Sequence, residues 1–169
     1  RQFILDTGFD WAFFNYATPL RGSALFEQCK REGWLAPEHQ RIGAIDMSDY
    51  VIRAPGIDKE ALKRFMFDLN LEANFVKNHN LRDGNYELAA TTFKEVVNRH
   101  EAQPFAHYFL AEAYTGMGPD YQRQAAAHYR RFLEIVGDDA EWAGHAERYG
   151  LDLGRTIGVA AIEGVSARV

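Results

Sequence analysis

Cysteine is all but missing from this sequence. Cys29 stands alone among 169 residues, so no intrachain disulfide framework can brace the fold, and a single thiol suits a reducing, cytoplasmic setting. Positive charge is also in deficit. The formal net charge is −5 and no basic stripe runs along the chain, so a nucleic-acid or anionic-membrane partner has no electrostatic support. No apolar run approaches the roughly 18 to 20 residues of a membrane span. Neither G-x-G-x-x-G nor G-x-x-x-x-G-K occurs, which leaves nucleotide binding without a motif. His39, His79, His100, His107, His128 and His145 never fall four apart and none sits in H-E-x-x-H, so a metal site would need long-range convergence. The sequence opens on Arg1, with neither an initiator Met nor a charged-then-apolar signal segment, and reads as a piece of a longer protein.

What is present is apolar surface enough for one compact unit with a sizeable core, since 47% of the residues are hydrophobic. The aromatic run 10–18, ending at Pro19, is too short for a typical helix and reads as a buried strand. Ser23 can cap a helix over 24–32 that buries Leu25, Phe26 and Cys29 and stops at Gly33. Residues 36–57 hold two prolines and no sustained period, a connector with an extended piece at 49–53. Asp58 then caps a helix reaching to about Leu81, its face built from Leu62, Phe65, Met66, Leu69, Ala73 and Val76. Asn70, Asn74, Asn78 and Asn80 weaken helix propensity there or mark a polar face.

Later helices are more sharply punctuated. Asn85 caps 86–99, Pro104 interrupts, 105–115 follows, and Gly116, Gly118 and Pro119 turn the chain into 121–136, which Gly137 closes. Asp138 and Glu141 make a D-x-x-E variant of the capping box that opens a last helix to about Leu153, stopped by Gly154. Residues 155–169 stay open between an extra apolar helix and a loose tail.

One pattern is written about two and a half times. Gly84-Asn85-Tyr86 with Ala89 and Phe93 is answered by Gly118, Tyr121, Ala125 and Tyr129; Ala106-x3-Leu110-Ala111-x2-Tyr114 is echoed by Trp142-x3-Ala146-x2-Tyr149. Small residues where helices cross let backbones approach to about 8–10 Å, and aromatics at the next turn fill the wedge. The period from Gly84 to Gly118, and these offsets, resemble the tetratricopeptide (TPR) family over residues 74–149. Lys77 replaces an expected small residue, and two extra residues separate Gly118 from Ala125. The resemblance implies a mainly α fold, a TPR-like superhelix of antiparallel helix pairs over 58–154. It also implies an inner surface at Asn74, Asn78, Tyr108 and Glu112, where a protein partner would dock.

A second resemblance lies at the other end. Gly8-Phe9-Asp10, then Thr18-Pro19-Leu20-Arg21-Gly22-Ser23, Ala24-Leu25-Phe26-Glu27 and Lys30-Arg31-Glu32-Gly33-Trp34-Leu35 resemble the late barrel segment of radical S-adenosylmethionine enzymes. The similarity is to the cobalamin-binding class that includes anaerobic magnesium-protoporphyrin ester cyclases. There T-P-x-P-G-T follows the strand; here Arg21 replaces the second Pro and Ser23 the Thr, while Gly22 and a capping hydroxyl remain. By this resemblance residues 1–35 are the strand-turn-helix end of an α/β barrel, and some members of the class carry TPR-like tails. The parent would hold a [4Fe–4S] cluster on C-x3-C-x2-C and use S-adenosylmethionine, with cobalamin as a further cofactor the class allows. Cys29 alone cannot build that cluster site, so no cofactor and no catalytic residue are expected within this sequence.

Other residues read most simply as structure. Cys29 is a small core residue with no base beside it. Asp138, Asp139 and Glu141 suit capping better than acid–base work. Arg123, Arg130 and Arg131 form a solvated face. The reading is therefore the C-terminal portion of a radical S-adenosylmethionine enzyme whose helical domain docks, dimerises or binds a partner: itself, another subunit or the upstream domains. The alternative is a free-standing TPR adaptor. A self-contained hydrolase or metalloenzyme is disfavoured, because no nucleophile, base and orienting group can be assembled.

Overall fold

The computed structural model describes residues 1–40, 50–152 and 154, and these are mainly helical. Among the described residues there is no strand, and no helix is long and apolar enough to cross a membrane. The chain divides into two compact units, one of Phe13–Leu69 and one that joins Arg1–Ala12, with the short helix α1 (Gln2–Thr7), to the residues from Asn70 onward.

In the first, helix α2 (Ala24–Arg31) begins as its sequence dictates. The Ser23 hydroxyl accepts the Phe26 amide at 3.1 Å, and Lys30 and Arg31 face the negative end of the helix dipole. Gly33, at φ +69°, ends it in a Schellman turn, with Trp34 N–H donating to the Cys29 carbonyl (2.8 Å) and Gly33 N–H to Lys30 (3.2 Å). Phe26 and Cys29 pack with Leu35, Tyr50, Val51 and Ile52. Within the expected extended piece Tyr50, Val51 and Ile52 are buried and Arg53 N–H donates to the Trp34 carbonyl (2.8 Å); Asp49 lies outside the described residues. Helix α3 (Lys59–Asn70) starts on Asp58, whose carboxylate accepts the amides of Glu60 and Ala61. Phe65, placed on the buried face by its spacing, is exposed.

Two expectations about the polar stretch fail for identifiable reasons. Residues 10–18 are not a strand, because no neighbouring segment supplies a ladder. The amide and carbonyl of Ala12 pair with the side chain of Asn74 instead. The helix expected over 58–81 is in three pieces: α3, a π-helix at Leu71–Val76, and the short α4 (His79–Arg82). The break falls at Lys77 and Asn78, where the Asn78 carboxamide accepts the Leu81 amide and starts α4 as a new helix.

The second unit is dominated by α5 (Tyr86–Arg99), α6 (Pro104–Met117), α7 (Gln122–Asp138) and α8 (Ala140–Arg148). Pro104 is the first residue of α6, where its missing N–H costs nothing. Helix α6 is the centre, with every residue from Pro104 to Ala111 buried. Its neighbours run antiparallel to it. Tyr86 of α5 lies on Gly116 and Phe93 on Phe109, while on α7 Phe132 meets Tyr108 and His128 meets Tyr114. Ala89, Ala106, Ala111, Ala113, Ala125 and Ala146 are fully or almost fully buried, which lets these helices approach closely. Phe75 of the π-helix completes the core, with ring centroids 5.8 Å from Phe93 and 6.2 Å from both Phe105 and Phe109.

Several boundaries differ from expectation. Asn85 makes no capping bond; its carboxamide donates to Asn80 instead. Gly137 lies inside α7, and the cap of α8 is Asp139 rather than Asp138, its carboxylate accepting the amides of Glu141 and Trp142. Helix α8 stops five residues short of Leu153, because Gly150 at φ +65° closes a second Schellman turn with Leu151 N–H on the Ala146 carbonyl (3.0 Å). Residues 155–169 lie outside the described residues.

Gly116 makes a testable contact. A Cβ added there would come within 2.4 Å of the Tyr86 ring. Alanine is the better helix former by up to ~1 kcal/mol, but overpacking costs about 1–3 kcal/mol, so Gly116→Ala should lower the thermal midpoint rather than raise it.

Candidate functional site

The polar residues of the second unit converge on one surface, and what they hold is a stretch of main chain. A π-helix has wider turns than an α-helix and recurs at functional positions. The one at Leu71–Val76 places Asn74 so that its carboxamide pairs with both main-chain polar groups of one residue, Ala12. The Asn74 Oδ1 accepts the Ala12 N–H at 2.8 Å and its Nδ2 donates to the Ala12 carbonyl at 2.8 Å. The same Nδ2 also donates to Asn70 Oδ1 (2.9 Å), which fixes its orientation.

Two further asparagines continue the site. Asn78 Nδ2 donates to the Asp10 carbonyl at the limit of bonding distance, 3.5 Å, and to the Asn74 carbonyl at 3.2 Å. Asn80 Nδ2 donates to the Asp10 carboxylate at 2.8 Å. Asn74, Asn78 and Asn80 are 1–2% exposed, so all three are desolvated with residues 10–12 in place. Between Asp10 and Ala12, Trp11 presents its ring to Phe75 edge to face, with centroids 5.3 Å apart and planes at 84°.

Charge completes the arrangement. The Asn80 hydrogen bond, followed by that of His79, holds the Asp10 carboxyl below the usual range. His79 lies between Asp10 (3.4 Å) and Asp83 (3.3 Å). Burial pushes the Glu72 carboxyl up, but Lys77 at 2.8 Å and Arg1 at 2.6 Å together keep it below its ordinary value. The surface can therefore bind a carboxylate, an indole and the main-chain N–H and C=O of one residue in sequence. It offers no nucleophile with a base beside it.

Of the four inner-surface residues read from the sequence, Asn74 and Asn78 fall in this site. Tyr108 and Glu112 serve the packing of α6: Tyr108 is buried, its hydroxyl accepting the Asp152 amide at 3.1 Å, and Glu112 accepts from the Tyr129 hydroxyl. Asn80, Asp10 and Trp11 are not among the site residues expected from the sequence. The signal for them was the asparagine cluster itself, which reads equally well as a weakened helix.

A second polar pair lies between α6 and α7. His107 Nε2 is 2.9 Å from the Glu101 carbonyl, so that nitrogen carries the proton and Nδ1 accepts. His128 Nδ1 faces it at 2.9 Å and must donate. Burial lowers both histidines; the neighbouring His107 adds to the effect on His128, which is lowered to about 4. Among the described residues no group of three or more His, Cys, Asp or Glu could hold a metal ion. Cys29 is fully buried and burial raises its thiol pKa, as expected for a core residue. Arg131 pairs with Glu134 at 3.1 Å. Comparison with protein-family models, with curated proteins and with solved structures finds no match to this chain.

Proposed function

We propose that this chain is a docking module: a TPR-like helical domain over residues 58–154, attached to the closing segment of a radical S-adenosylmethionine barrel at 1–35, with 36–57 as connector. The observation that carries the docking role is the Asn74 carboxamide bonded to both main-chain polar groups of one residue, Ala12, a recognition mode that works on main chain of any origin. Antiparallel α5, α6 and α7 with buried alanines at their contacts support the TPR-like reading. The parentage rests on the sequence resemblance, and the capped turn at Gly22 and Ser23 suits it.

In this reading the module docks, dimerises or binds a protein partner in the cytoplasm, and chemistry belongs to the upstream part. That part would hold the [4Fe–4S] cluster and S-adenosylmethionine. A free-standing TPR-like adaptor is the competing reading, favoured by the finding that residues 10–18 form no strand.

The upstream coding sequence decides between them. C-x3-C-x2-C is expected in frame, and the extended protein should acquire cluster absorbance on anaerobic reconstitution, while the present 169 residues should not. A start codon next to Arg1, or a stoichiometric cluster on these residues alone, would overturn the parentage.

A further inference from the structure

We propose that the asparagine-lined surface of the π-helix and α4 is a recognition site for a non-helical peptide segment carrying an acidic residue, an aromatic residue and a small residue in succession, and that residues 10–12 occupy it in cis. The inference deepens the docking reading and rests on it, by naming the chemistry of the docked segment.

Three observations carry the proposal. Asn74 contributes both an acceptor and a donor to Ala12, as a neighbouring strand would, so the attraction does not depend on which chain supplies the peptide. Asp10 and Trp11 are selected by side-chain contacts, the carboxylate by Asn80 and His79 and the indole by Phe75. Finally, Asn74, Asn78 and Asn80 are almost completely buried with the segment present. Removing it without replacement would take from Asn74 Oδ1 and Asn80 Nδ2 the bonds they make to the segment, while Asn74 keeps Asn70 and Asn78 keeps the Asn74 carbonyl and the Leu81 amide, so the docked segment completes this surface at two positions.

The cis segment is connected to the site only through the whole of Phe13–Leu69, which forms a unit of its own. Its hold is therefore that of a tethered ligand at finite effective concentration, which a segment in trans can contest. The apparent affinity for a trans peptide is then the intrinsic affinity scaled by the fraction of molecules whose cis segment is released. Asp10 is the exposed edge of the bound segment, with a side chain 65% accessible, and it marks the end from which exchange begins.

The test uses the full chain and a fluorescent peptide spanning residues 6–14. The double variant D10A/W11A, whose cis segment is weakened, should bind the peptide about tenfold tighter than wild type. Adding Asn74→Ala to that variant should remove the gain while the far-UV circular dichroism stays helical, and a peptide with both residues changed to alanine should not bind. Equal binding to wild type and variant, or binding indifferent to Asn74→Ala, would overturn the proposal. Should D10A/W11A fail to fold, wild type titrated with the peptide supplies the reading. The backbone amide resonance of Ala12 in the chain should move toward its unstructured position as the peptide displaces the cis segment, and no movement at millimolar peptide would equally overturn it. Neither measurement involves a cluster, so failure here is separable from failure of the parentage.

Discussion

Phe75→Ala should lower the stability of the helical unit by about 3–5 kcal/mol, the range for truncating a buried phenylalanine. Phe75 is 2% exposed and lies among Phe93, Phe105 and Phe109, so little can collapse into the space it leaves. It is also the ring against which Trp11 packs. The loss should therefore come with a second signature, a red-shifted and more quenchable Trp11 emission at a denaturant concentration where the helices remain folded. Urea melts followed by circular dichroism give the first quantity. Fluorescence of a Trp34→Phe/Trp142→Phe background isolates the second. A loss below about 1 kcal/mol would mean that this ring is not packed as described.

Acid should destabilise the fold before carboxylates begin to protonate. His107 and His128 are neutral in the folded protein, and both are shifted below the ordinary histidine value, His128 to about 4. As pH falls below about 6.5 the unfolded chain takes up protons that the folded chain refuses, so stability drops. The drop continues to about pH 4, where the folded protein also protonates His128, and amounts to about 3 kcal/mol for this residue. Arg131 facing His107 adds to the penalty, whereas Glu101 and Glu134 oppose it. Asp10, Asp58 and Glu72, held below their usual carboxyl range, add losses of the same sign at lower pH. Urea midpoints at pH 7 and pH 4.5 should therefore differ in wild type, and His128→Gln should flatten that dependence. An unchanged midpoint would contradict the buried, uncharged pair.

How much of this was legible in the sequence depends on the range of the interaction. Ser23, Asp58 and Gly33 act on their own helices, and each does what its position implies. The alanine and aromatic spacing of 86–149 likewise gave helices in the expected order, because that signal is carried by neighbours three and four apart. Where the reading failed, a distant group had changed the local preference. Residues 10–12 have the composition of a strand but find a side chain 62 residues away instead of a neighbouring strand. The asparagines look like weak helix formers until that main chain is beside them. Asp138 and Asp139 are both plausible caps on paper; the extended backbone of Asp139, at φ −134° and ψ 106°, decides between them. Gly150, at φ +65°, ends the last helix where Gly154 was the expected stop.

The same division applies to the candidate site. Asn74 and Asn78 came from repeat spacing, and they do share a surface. Tyr108 and Glu112 came from the same spacing; Tyr108 is buried in α6, and Glu112 is half-buried and accepts from the Tyr129 hydroxyl. Periodicity identifies a face of a helix, but whether that face meets solvent or another helix is set by how many neighbours the helix has.

Amide hydrogen exchange at Ala12 tests the account most directly. With its N–H donated to Asn74, Ala12 should exchange well below the rate of an unstructured amide, and Asn74→Ala should restore that rate while the amides of α6 keep their protection. Unprotected exchange at Ala12 in the wild-type chain would show that the carboxamide does not hold this peptide group, and the docking surface would lose its basis.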